Sequence, residues 1–139
     1  MSGSVSANFA LAMHVLVVED DRSIRETLGI VLEAYHHQAH LVSDSSETLE
    51  ALERMRMSWP DVVLLDLKLA RESGEEVYHQ IRERFGKAPP IVIISAAREG
   101  AHRATQIPGA RFLSKPYTID QLLASIEEAG AQKVRSSSA

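Results

Sequence analysis

The chain alternates between two apolar patterns. Runs that are apolar at nearly every position occur at His14–Val18, Asp61–Leu65 and Ile91–Ile94, with weaker ones at Ala39–Val42 and Arg111–Leu113. Such runs suit strands covered on both faces, as in a parallel sheet, rather than strands with one wet face. Between them the spacing becomes helical. Ile24, Leu28, Val31, Leu32 and Tyr35 fall at i, i+4, i+7, i+8 and i+11 and make one apolar stripe. Leu49, Leu52 and Met55 make another, followed by Val77, Ile81 and Phe85, and last by Ile119, Leu122, Leu123 and Ile126. Residues 97–109 carry only a faint stripe, Ala101, Ala104 and Ile107, which Pro108-Gly109 closes early. The spacing therefore predicts a short or frayed fourth helix.

Local signals agree with this division. Asp44 with Glu47, Ser73 with Glu76, and Thr118 with Gln121 each carry a capping-box signature, in which the first side chain accepts a bond from a free helix N–H. Pro60 and the Pro89-Pro90 pair end helices before the next strand. The order β-α is read five times, which predicts an α/β fold with a parallel sheet and helices on both faces. In such sheets the functional crevice lies beyond the carboxyl ends of the strands.

Those ends are chemically rich. Glu19, Asp20 and Asp21 follow the first strand, the third runs straight into Asp66, the fourth ends at Ser95, and Ser114-Lys115-Pro116 follows the fifth. Taken singly, each has an ordinary reading. Asp20 or Asp21 would cap the next helix, a lone Asp ends a strand at a turn, and a lone Lys is a solvated side chain. Taken together they do not, because carboxylates crowded at one edge repel and raise one another's pKa. A positive species belongs among them. An all-oxygen site favours a hard cation, and Mg²⁺ takes one or two carboxylates plus a phosphate oxygen while keeping water. That combination points to phosphoryl chemistry with an Asp as covalent acceptor. Lys115 would neutralise the transferred group and Ser95 would donate a hydrogen bond to it. No Gly-rich phosphate loop is present, so the phosphoryl group would come from another molecule.

Composition narrows the picture further. At 139 residues, 45% hydrophobic and 24% charged, the chain matches one globular domain. The absence of cysteine excludes disulfides, cysteine nucleophiles and thiolate metal sites. Fifteen Lys and Arg against nineteen Asp and Glu give a net charge of -4, which argues against nucleic-acid and anionic-membrane binding. Apolar runs such as Val62–Leu65 are too short to span a bilayer, and residues 1–13 lack the pattern of a signal peptide. A soluble cytoplasmic protein is expected. His36, His37 and His40 cluster at the start of the second strand, away from the carboxylates, and are read as a solvated turn.

Five motifs in register now carry a resemblance: Val15-Leu16-Val17-Val18-Glu19-Asp20-Asp21, Val62-Val63-Leu64-Leu65-Asp66, Gly74 eight residues after Asp66, Ile93-Ile94-Ser95-Ala96, and Phe112-Leu113-Ser114-Lys115-Pro116. The chain resembles the receiver domains of bacterial two-component response regulators over roughly residues 13–131, with residues 1–12 and 132–139 read as loosely held tails. The resemblance implies a flavodoxin-like, doubly wound (βα)5 sandwich with strand order 2-1-3-4-5. It implies that Asp66 is the phosphoacceptor and that Mg²⁺ is held by Glu19, Asp20, Asp66 and the backbone carbonyl of Lys68. Lys115 pairs with the phosphoryl group and precedes a cis proline, Pro116. Ser95 and Phe112 form a switch pair, in which the hydroxyl meets the phosphoryl oxygen and the ring follows inward. The implied partners are a sensor histidine kinase or phosphotransfer protein and an unknown output protein or domain, with a homodimer also allowed. The role is signalling rather than enzymatic turnover.

Three departures matter. Ala70 stands where the family often has a proline, which predicts a less fixed loop after Asp66. Ala97 cannot orient a water molecule, which predicts slow self-dephosphorylation. Phe112 in place of the commoner tyrosine has no hydroxyl to desolvate, which predicts a bias toward the inward ring. The alternative to phosphotransfer is a degenerate receiver that binds partners without phosphorylation. A Mg²⁺-dependent phosphatase is a third reading, disfavoured because no carboxylate follows Asp66 closely.

Overall fold

A computed structural model describes residues 12–138. The side chains of residues 97–99, 104 and 133–138 fall outside the described set, as do residues 1–11 of the expected amino-terminal tail. Five strands, β1 (His14–Val18), β2 (Gln38–Val42), β3 (Val62–Asp66), β4 (Ile91–Ala96) and β5 (Arg111–Lys115), alternate with five helices. The helices are α1 (Arg22–Ala34), α2 (Ser45–Arg54), α3 (Gly74–Phe85), α4 (Ala97–Ala104) and α5 (Ile119–Ser138). The sheet order is β2-β1-β3-β4-β5 with every neighbouring pair parallel, the flavodoxin-like arrangement that the motifs imply.

Successive strand residues point to opposite faces, and here both faces are covered. Leu16, Val18, Val63, Leu65 and Ile93 pack with Leu52 of α2, Val77 and Ile81 of α3, and Ile107. Val15, Val17, Val62, Leu64, Val92 and Ile94 pack with Leu28 and Leu32 of α1 and with Leu122 and Ile126 of α5. This double burial is why the strands read as unbroken apolar runs.

The helix starts are set by side chains. Asp21 accepts from the Ile24 N–H at 3.0 Å. Asp44 accepts from Glu47 at 2.9 Å, while the Glu47 carboxylate reaches back past the cap to the Ser43 N–H at 2.8 Å. Ser73 with Glu76 and Thr118 with Gln121 form fully reciprocal boxes. Replacing Ser73 with Ala is expected to cost about 1 kcal/mol, readable as a lower urea midpoint at unchanged m-value.

Helix α4 is only eight residues long and has no side-chain hydrogen bond at its cap, in keeping with its faint stripe. Helical backbone in α5 continues to Ser138, into the stretch read as a tail. The Lys115–Pro116 peptide is cis, as the resemblance implies.

Candidate functional site

The carboxyl edge of the sheet collects the predicted residues because parallel strands end together. Asp66 closes β3 opposite Ile94, Ser95 pairs with Ser114, and Ala96 pairs with Lys115. Glu19, Asp66 and Ser95 are 4%, 6% and 4% exposed, so three polar side chains are sunk almost completely into this edge. Burial makes each of their partners matter.

Asp66 is held from two sides. Its Oδ1 accepts from the Lys68 N–H at 2.8 Å, and its Oδ2 lies 3.3 Å from Lys115 Nζ. Lys68 thus contributes its backbone to the site while its side chain is exposed. Glu19 accepts from the Asp21 N–H at 2.9 Å and shares a side-chain hydrogen bond with Asp66. Burial first, then that shared bond and the nearby charge, push the Glu19 carboxyl up to about 8. The Tyr117 phenol is pushed up by burial and by the charges of Glu19 and Asp66.

Asp20 takes a different part. Its Oδ2 accepts from the Ala70 N–H at 2.5 Å, tying the loop after β1 to the loop after β3. A proline at position 70 has no N–H and could not make this bond. The loop expected to be less fixed is therefore pinned by the residue that replaces the proline. Close approach also fixes it from below: a Cβ at Gly74 would lie 2.9 Å from both the Asp66 carbonyl oxygen and Leu67 Cα.

Asp21 is a helix cap, the ordinary reading. Ser95 sits at the end of β4 beside the ring of Phe112, which is partly buried against the core. Three contributors escaped the sequence reading. Arg25 holds the β1–α1 loop by donating to the carbonyls of Glu19 (2.9 Å) and Asp20 (3.3 Å), the Tyr117 phenol feels the charges of Glu19 and Asp66, and Arg103 of α4 reaches the Leu67 carbonyl at 3.2 Å. Of these, only Arg25 had a readable signal, a cation one helical turn after an acidic strand end.

The histidines do not form one solvated turn. His36 adopts the left-handed conformation with φ 74°. His37 is buried, and its Nδ1 accepts from the Met13 N–H at 3.1 Å. His40 stacks on His14, with Nδ1 and Nε2 3.2 Å apart, and burial with the charges of His14 and Arg54 lowers its pKa.

Among the described residues no three His, Asp or Glu side chains are arranged to hold a metal ion by themselves. The acid pair nevertheless fits a hard cation of the Mg²⁺ type, which needs only one or two carboxylates and completes its shell with water and other oxygens. Glu19 and Asp66, both nearly buried at one strand edge, are the carboxylates that such a cation would meet there. No described helix is long and apolar enough to cross a membrane.

A doubly wound sheet with an acid pair, a lysine and a buried serine at its carboxyl edge defines a receiver class of α/β domain. The response regulator receiver domain family model matches residues 15–127, and the chain belongs to that family, the receiver module of two-component signalling. It is 34% identical over 116 residues to response regulator MprA of Mycobacterium leprae, covering 82% of this chain and 49% of that protein. It is 31% identical over 120 residues to sensory transduction protein LytT of Enterococcus faecalis, covering 86% and 49%. The chain spans about half the length of these curated relatives. A response regulator receiver domain protein of Clostridium thermocellum shares the fold with a TM-score of 0.74 at 24% identity, over 88% of this chain and 97% of that one.

Proposed function

We propose that Asp66 accepts a phosphoryl group from a histidine kinase or phosphotransfer protein and that the site passes this event to a reading partner. The observation that carries the reading is the setting of Asp66, buried at a strand end with one oxygen fixed by Lys68 N–H and the other facing Lys115 Nζ at 3.3 Å. A carboxylate oxygen bonds to phosphorus as the P–N bond of a phosphohistidine breaks, and the electron pair leaves with the imidazole nitrogen. Lys115 balances charge on the phosphoryl oxygens, and the Ser95 hydroxyl donates to one of them. Glu19, Asp20, Asp66 and the Lys68 carbonyl would hold Mg²⁺, which supplies further neutralisation of the transferred group.

The donor protein must approach where the pocket opens. An apolar groove of about 400 Å³ lies between α1 and the start of α5, lined by Ile24, Val31, Tyr117 and Ile119 among others. Ile24 and Ile119 are 41% and 44% exposed, unusual for residues of their size. Such a groove suits the apolar stripe of a partner helix. Phosphorylation then biases an existing equilibrium of Ser95 and Phe112 rather than creating a new state.

Incubation with acetyl phosphate and Mg²⁺ followed by intact mass tests the reading, and one phosphoryl adduct per chain is expected. No adduct at any Mg²⁺ concentration would mark a phosphorylation-independent binding module, and steady turnover of phosphate esters would mark an enzyme. With alanine at position 97, the isolated phosphoprotein is expected to decay slowly after donor removal. Rapid decay without a partner would refute the role given to that position.

A further inference from the structure

Helix α4 is too short to persist on its own merits, so tertiary contacts hold it. Two of its residues, three apart and therefore on one face, make those contacts. Gly100 is buried, and a Cβ placed there would lie 2.2 Å from Phe112 Cε1, 2.7 Å from Cζ and 2.8 Å from Ser95 Cβ. One turn on, the Arg103 guanidinium grips both oxygens of Glu75, Nε to Oε2 at 2.6 Å and Nη2 to Oε1 at 2.5 Å. The same Nη2 donates to the Leu67 carbonyl at 3.2 Å. Leu67 directly follows Asp66, and Glu75 lies in the first turn of α3.

The inner face of α4 therefore touches the backbone behind Asp66 and the ring of Phe112 at once. We propose that Arg103 is a positioning residue for Asp66, and that through Gly100 on the same face it couples the Asp66 loop to the seat of the Phe112 ring. An exposed ion pair would contribute little. This one differs in three respects. It is bidentate, its side chains are only 30% and 18% exposed, and it includes a backbone carbonyl adjoining the reactive residue. The planar fork is what allows one side chain to bind a carboxylate and a carbonyl together, and a lysine cannot reproduce it. At Gly100 the usual sign reverses. Alanine normally favours a helix over glycine, yet here its methyl group occupies space that the ring already fills.

The coupling rests on the reading of Asp66 as phosphoacceptor, so the test has two independent arms. In the first, the rate of adduct formation is measured against acetyl phosphate concentration for wild type, Arg103→Ala, Arg103→Lys and Glu75→Gln. Arg103→Ala is expected to lower the limiting rate roughly fivefold or more, as a small misplacement of a reacting group does, with the half-saturating donor concentration little changed. Arg103→Lys is expected not to rescue it. Glu75→Gln, which keeps the shape of the pair, is expected to fall between, and serves if Arg103→Ala does not fold. In the second arm, without donor, fluorine NMR of 4-fluorophenylalanine-labelled protein follows Phe112, one of three phenylalanines. Gly100→Ala and Arg103→Ala are each expected to move its resonance.

A limiting rate for Arg103→Ala within about twofold of wild type, full rescue by lysine, or a Phe112 resonance left unmoved by Arg103→Ala overturns the coupling. A wild-type chain that never forms an adduct overturns the phosphoacceptor reading instead. The fluorine arm then still decides whether α4 links the loop to the ring.

Discussion

Asp66→Asn is expected to abolish labelling by acetyl phosphate while making the metal-free domain more stable. The amide keeps the volume of the side chain and an oxygen to accept the 2.8 Å bond from Lys68 N–H, so the loop has no reason to move. What disappears is the nucleophile, since an amide forms no acyl phosphate, and labelling by intact mass is expected to fall by roughly 100-fold or more. The gain in stability has a separate cause. Glu19 loses the buried neighbour whose hydrogen bond and charge oppose its ionisation. Lys115 loses its partner at 3.3 Å, but its exposed ammonium is readily taken up by water. The balance favours the variant by about 1–2 kcal/mol in urea unfolding with a chelator present. Persistent labelling of Asp66→Asn would remove Asp66 from its role, and a destabilised variant would mean that the Lys115 contact outweighs the strain between the acids.

The second large effect belongs to Glu19 and depends on pH. Its carboxyl titrates near 8 in the fold against an ordinary 4.5, so the folded state keeps a proton that the unfolded chain gives up. The stability this provides is complete below about 4.5 and is lost as pH rises through about 8. Each unit of difference is about 1.4 kcal/mol, so the whole window carries a few kcal/mol. Urea unfolding of the chelator-treated protein between about pH 5 and pH 8.5 is expected to show a falling stability that Glu19→Gln flattens. Saturating Mg²⁺ is expected to flatten it as well, because a cation at the pair replaces the proton. Equal slopes in wild type and Glu19→Gln would show that another group sets the dependence.

Much of this site can be read along the chain because parallel strands put successive strand ends at one edge. Glu19, Asp66 and Ser95 each sit one step beyond an unbroken apolar run, and Lys115 sits two steps beyond the weaker Phe112-Leu113 pair; their shared placement at strand ends, rather than any one of them, carries the argument. The same logic locates the short fourth helix, where Ala101, Ala104 and Ile107 supply too little apolar surface for a longer one. Other features depend on distances no local pattern records. Arg103 meets Glu75 across 28 positions, and Asp20 meets the Ala70 N–H across 50. Nothing around Ala70 announces that a missing proline frees a donor and tightens the loop. His37 shows the converse limit, since its neighbours are polar and exposed while its ring is buried on the Met13 N–H.

The sheet also divides the surface into two addresses. The apolar groove between α1 and α5 belongs to the layer formed by those helices, whereas the ring of Phe112 packs against the core of the opposite layer. Phe112 also lines a groove with Gln121, Ala124 and Ser125 of α5, so a protein delivering a phosphoryl group and a protein sensing the ring would both border that helix. The two grooves share no lining residue, so delivery and sensing would turn on different side chains along one helix.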